Sequence, residues 1–165
     1  MTDTNPFWEF SITFYARPGV ATLCLDLQQR CEADVNLLLF CLWRADNGQR
    51  LHYENLCELD AEIAPWRVDV VQQLRGLRQQ LRDYPAVGST RDLLKKAELE
   101  SERVQQQAIW KWQQQQESGI AGKDRQSVAE CIGENLAGYA ALLAVDPAEF
   151  DSISALALAN FSDAS

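Results

Sequence analysis

Four pairs of glutamates stand four residues apart in this sequence: Glu54/Glu58, Glu58/Glu62, Glu98/Glu102 and Glu130/Glu134. On a helix that spacing puts both carboxylates on one face, one turn apart, where they can hold a divalent cation. All-α enzymes that hydrolyse nucleoside triphosphates use such pairs on facing helices. A small helical enzyme or ligand-binding protein with a divalent metal is therefore one reading of the chain. Glu130 and Glu134 suit it best, being flanked by small and apolar residues, although no Gly-rich phosphate loop accompanies them. Against it stands the acidity of the whole chain, which scatters such pairs over solvated faces.

Other catalytic sets lack their residues. A di-iron bundle needs Glu-x-x-His twice, and the single histidine, His52, removes that class together with zinc sites built on two histidines. The five cysteines, at 24, 31, 41, 57 and 131, include no CxxC spacing and lie mostly in apolar surroundings. They read as buried small hydrophobes in a reducing cytoplasm rather than as ligands or disulfides. Cys57 follows His52 by five residues, about 140° off-face on a helix, so the two make no nucleophile and base pair. No motif implies a cofactor.

Binding residues are better represented. Arg75, Arg78 and Arg82 follow i, i+3, i+7, with Arg67 two turns earlier, and form one basic helix flank beside Val70, Leu74, Leu77 and Leu81. Such a stripe is most simply a solvated face pairing with acids elsewhere; its functional reading is a dock for an acidic partner, with the planar Arg fork recognising carboxylates or phosphates. Trp110 and Trp112 are about 200° apart on a helix, so one packed face does not easily take both, and one of them is a candidate interface anchor.

Charge supports this division. The net charge of −9 works against nucleic-acid and anionic-membrane binding, yet residues 65–96 hold 7 Lys and Arg against 3 Asp and Glu. Only Trp66 and Tyr84 lie near these cations, too few exposed aromatics for an RNA surface. The start, MTDTNPFWEF, is acidic where a signal peptide is basic, and no apolar run approaches membrane-spanning length.

The elements that must position these residues are helices. Asn5 and Pro6 open a helix over about 7–16; Val20, Leu23, Cys24, Leu27 and Cys31 form a helical stripe; Asp34 caps a third helix over about 35–46. Apolar residues surround that third helix, DVNLLLFCLW, which predicts burial on nearly all sides, with Asn36 either facing water or bonded to a neighbouring segment. A short helix over about 54–63 breaks before Pro65, and an amphipathic one runs over 65–83. Thr90 then opens a helix to 117, roughly 42 Å long, with only Ala97, Leu99 and Val104 apolar between 95 and 107, so much of it is expected to be exposed. After the loop ESGIAGKD come a helix through Val128, Cys131, Ile132, Leu136, Tyr139, Leu142 and Leu143 and a last one over about 147–160, with SDAS as a fraying tail. The expectation is one all-α domain spanning 1–165, a compact bundle of about seven helices with the long 90–117 helix partly exposed. At 165 residues it has enough surface to bury a core without staples.

The segments FWEFSITFYARPGVATLCLDLQQ, DVNLLLFCLW and PWRVDVVQQLRGLRQQLR together resemble an uncharacterised family of short bacterial proteins classed as a domain of unknown function. The likeness covers roughly the first hundred residues. It implies a bacterial, cytosolic, helical protein and brings no catalytic residues. The leading expectation is a non-enzymatic interaction or regulatory protein, with Arg67, Arg75, Arg78, Arg82, Trp110 and Trp112 as partner surface. Self-association through the long helix is a further possibility, and the metal-dependent enzyme using Glu130 and Glu134 is the alternative.

Overall fold

In the computed structural model, which describes residues 5–117 and 126–161, every regular element is helical. The loop residues after Glu117 and the SDAS tail lie outside the described residues. The α-helices are α1 (Pro6–Tyr15), α2 (Val20–Cys31), α3 (Val35–Asp46), α4 (Tyr53–Trp66), α5 (Gln72–Gln80), α6 (Gly88–Glu117), α7 (Val128–Leu143) and α8 (Asp151–Phe161). Because α4 and α5 run into one another, these helices make seven rods among the described residues.

Local chemistry sets most of the ends. The Asn5 side chain accepts the Trp8 N–H at 3.0 Å, and Asp34 accepts the N–H groups of Asn36 and Leu37 at 2.9 and 3.3 Å. Each thereby satisfies donors that a helix start leaves unpaired. Gly19 has φ +86°, open to glycine but strained for other residues, and a Cβ there would also meet Leu156 of α8 at 3.2 Å. Asp146 caps a short 3-10 turn, Pro147–Phe150, that leads into α8, so the expected last helix begins as 3-10 rather than α.

The junction at Pro65 differs from expectation. No break occurs: α4 passes through Pro65 and widens into a π-turn, Arg67–Val71, in which the Gln72 N–H bonds the Arg67 carbonyl. Proline removes one backbone donor and crowds the preceding turn. Packing of α4, the π-turn and α5 along α6 accompanies the continuous rod.

Helix α3 is the central beam, as its composition predicts. Every residue from Leu37 to Trp43 is buried, and the helix packs on α1, α2, α6 and most extensively α7. Phe40 is a hub, meeting Phe7 edge-on at 5.4 Å, Trp43 stacked at 5.8 Å and Trp112 edge-on at 6.2 Å. Asn36 takes the bonded option: its Oδ1 accepts from Gln106 Nε2 at 2.9 Å.

The long helix α6 is indeed exposed over much of its length, but with an inversion. Along its N-terminal half the face turned inward is polar: Glu98, Ser101, Gln105 and Gln106 are buried, whereas Leu93 and Leu99 are exposed. Only near Ile109 and Trp112 does the inward face become apolar. The spacings 98, 101, 105, 109 and 112 make a regular helical seam in which the first three residues are polar.

Candidate functional site

The polar seam of α6 explains the arginine stripe. Arg75 donates from Nε to Glu98 at 3.1 Å and from Nη2 to Glu102 at 2.9 Å. Arg78 clasps Glu98 with Nε and with Nη2, the latter at 3.2 Å. The candidate cation flank and one of the candidate acid pairs therefore neutralise each other across the α5 and α6 interface. Glu98 is 7% exposed. Burial alone would raise its pKa, but the hydrogen bonds from Arg78 and Arg75 outweigh it and hold the carboxyl below the usual glutamate range. For half-buried Glu102 burial dominates, and its pKa is pushed up despite Arg75.

A second knot joins the π-turn to α3 and α6. Arg67 donates through Nη1 to Asp60 at 2.6 Å and to Asp34 at 3.3 Å. Gln105 Nε2 donates to the same Asp34 carboxylate at 2.5 Å. Behind it the Asp34 N–H donates to the Tyr139 hydroxyl at 2.7 Å, and that hydroxyl donates to the Asp34 carbonyl at 3.1 Å. Burial and the neighbouring Asp34 carboxylate push the Tyr139 pKa well above its ordinary value, so it stays a neutral hydrogen-bonding group.

Two depressions flank these ion pairs. A polar cavity of about 500 Å³ lies among the end of α2, the start of α3, the π-turn, α6 and α7, with Arg67, Arg75, Glu102 and Tyr139 in its wall. A more apolar groove of about 370 Å³ lies among α1, α2, α3 and α6, lined by Trp8, Ile12, Tyr15, Leu25, Leu39 and Leu99. Arg75 and Glu102 line both, so their ion pair stands in a shared wall.

The remaining expected site residues fall elsewhere. Arg82 is exposed on the 3-10 turn Leu81–Asp83 and makes no ion pair among the described residues. Trp112 is in the core, and Trp110 is half-buried, edge-on to Trp43 at 5.7 Å, so both rings pack within the chain. The 200° between them is accommodated because α6 is flanked on two sides. Glu130 closes a capping box with Ser127 at the start of α7, while Glu134 pairs with Arg50 at 3.2 Å. Among the described residues no three His, Cys, Asp or Glu side chains are grouped to hold a metal ion, and no helix is long and apolar enough to cross a membrane.

Sequence reading missed Asp34, Gln105 and Tyr139 as members of a site. Asp34 carried only a capping signal, and the polar residues at 98, 101 and 105 read as an outer face. The available signal was their own helical spacing, continued by Ile109 and Trp112.

A family model described as a protein of unknown function (DUF2390) matches residues 6–109. No curated protein and no solved structure matches the chain.

Proposed function

The chain belongs to this uncharacterised family of short bacterial helical proteins, and from that premise we propose that it is a non-enzymatic cytosolic interaction protein that docks a partner helix in the groove among α1, α2 and α6. One observation carries the reading: three exposed aliphatic side chains from three helices line one groove, Ile12 at 52%, Leu25 at 52% and Leu99 at 61%. Single exposed apolar residues are ordinary, but a cluster beside two half-buried aromatics, Trp8 and Tyr15, is the kind of surface a partner covers.

Charge defines the occupant. The groove is lined by Arg75, Arg78 and Lys95 against Glu98 and Glu102, a cationic excess in a protein of net charge −9. Lys95 is exposed and makes no ion pair among the described residues, which suits a carboxylate from outside. The partner is therefore an amphipathic helix with apolar residues at i, i+3 or i+4 and i+7 and acidic residues beside them. The basic flank foreseen in the sequence contributes to this surface as a wall rather than as its main contact. Five cysteines without a disulfide accord with a reducing compartment.

Selection from a displayed library of helical peptides tests the reading. Enriched sequences should carry the apolar spacing with acidic neighbours, and their binding should fall at least about tenfold with Leu99→Glu or Ile12→Glu while the melting temperature is nearly unchanged, since both side chains are exposed. Enrichment of sequences without that pattern, or binding indifferent to both substitutions, would exclude the groove.

A further inference from the structure

The polar cavity on the other side of the shared wall contains hydrogen-bonding capacity that the protein leaves unused. Arg67 reaches both Asp34 and Asp60 through the single nitrogen Nη1. The edge of its guanidinium formed by Nε and Nη2 makes no hydrogen bond among the described residues, and this edge has the geometry that grips a carboxylate with two parallel bonds. Across the lining, Glu102 accepts from Arg75 through Oε1 only, leaving Oε2 as a free acceptor, and Glu32 adds an exposed carboxylate.

We propose that this cavity binds a small zwitterion of the free amino acid class, its carboxylate on the open edge of Arg67 and its ammonium group on Glu102 and Glu32. The lining holds four carboxylates, Glu32, Asp34, Asp60 and Glu102, against the two guanidinium groups of Arg67 and Arg75, which disfavours a ligand that is purely anionic. Asp34 and Asp60 already surround Arg67, so a bare anion would meet their repulsion with no positive group to offset it, and a bare cation would leave the open edge of Arg67 unpaired. A molecule carrying both groups satisfies both ends. The Gln72 amide, exposed in the wall, suits hydrogen bonding to the ligand without added charge. A cavity of about 500 Å³ falls within the range used for small metabolites.

The π-turn gives the site its shape. It sets Arg67, Val68 and Val71 on the cavity wall, and π-turns inserted in α-helices recur at functional sites. Burial also makes ionised Glu102 costly in the empty protein, a cost that a ligand ammonium would offset. The site shares the Arg75 and Glu102 wall with the groove but requires neither Ile12, Leu25 nor Leu99, so substitutions at those three residues test the groove alone.

Thermal shift and titration calorimetry on the full chain test this with the proteinogenic amino acids as probes at millimolar concentration. At least one should raise the melting temperature. The matching amine without its carboxylate, and the matching acid without its amine, should each bind at least about tenfold more weakly. Arg67→Lys keeps the charge but loses the fork, and Glu102→Gln keeps the shape but loses the charge; each should weaken binding by about tenfold or more. Gln72→Ala, at an exposed position in the wall, should weaken binding severalfold and serves if either of the other variants fails to fold. The proposal is overturned if no amino acid binds, if the singly charged analogues bind equally well, or if folded variants keep wild-type affinity.

Discussion

The side-chain oxygen of Asn135 in α7 accepts the backbone N–H of Leu51 at 2.7 Å, pinning the connection between α3 and α4 to a helix 84 residues away. The amide nitrogen of Asn135 donates to the carbonyls of Cys41 and Gln49 at 3.0 and 3.1 Å. Asn135 is fully buried, so its removal strands backbone groups in the interior. Asn135→Ala should destabilise the protein by about 2–4 kcal/mol, lowering the melting temperature by roughly 5–15 °C. Urea unfolding checks this, and a loss below about 0.5 kcal/mol would mean the amide does not hold the connection.

Glu98 and Glu102 should pull the acid stability profile in opposite directions. The folded pKa of Glu98 is depressed, so its contribution is fully present above the unfolded value of about 4.3 and is lost as pH falls through the folded value. The folded pKa of Glu102 is raised, so its ionisation opposes folding above that value, and protonation on the way down to about 4.3 restores stability. Glu98→Gln should cost about 2–4 kcal/mol near neutral pH, because it leaves Arg75 and Arg78 with one fewer partner, and the difference from wild type should shrink below about pH 4. Glu102→Gln should remove a stability gain seen on mild acidification. Denaturant titrations at stepped pH read both, and a pH-independent Glu98→Gln deficit would contradict the assignment.

Burial pushes the thiols of Cys24 and Cys41 up to about 12, where almost no thiolate forms at physiological pH. Cys57 is only half-buried. A disulfide reagent near neutral pH should therefore label Cys57 first, with Cys24 and Cys41 reacting only at the rate of unfolding, slower by about a hundredfold or more. Mass spectrometry of partly labelled protein resolves the order, and equal rates at Cys41 and Cys57 would show that α3 is not the sealed core it forms here.

Local rules carried the helices whose signals are self-contained. Asn5 and Asp34 each cap a helix start from within a few residues, so their effect does not depend on distant packing. The all-round apolar surface of DVNLLLFCLW requires burial wherever the rest of the chain lies, and α3 is accordingly central. Pro65 departs from its local bias toward ending a helix, worth only a few kcal/mol, where α4, the π-turn and α5 all pack along α6.

The sequence by itself determined that the chain is all-helical, where most helices begin, and which helix is the beam; it also offered the arginines and the glutamates as two separate candidate sites. Only the tertiary structure decided that Arg75 and Arg78 meet Glu98 and Glu102, and that α6 turns its polar seam inward while Leu99 faces out. Burying Glu98 or Gln105 is unfavourable for an isolated helix and becomes favourable when partners from α5 and the α3 cap complete their hydrogen bonds. Those partners lie 20 to 71 residues away in the chain, beyond the reach of any periodicity.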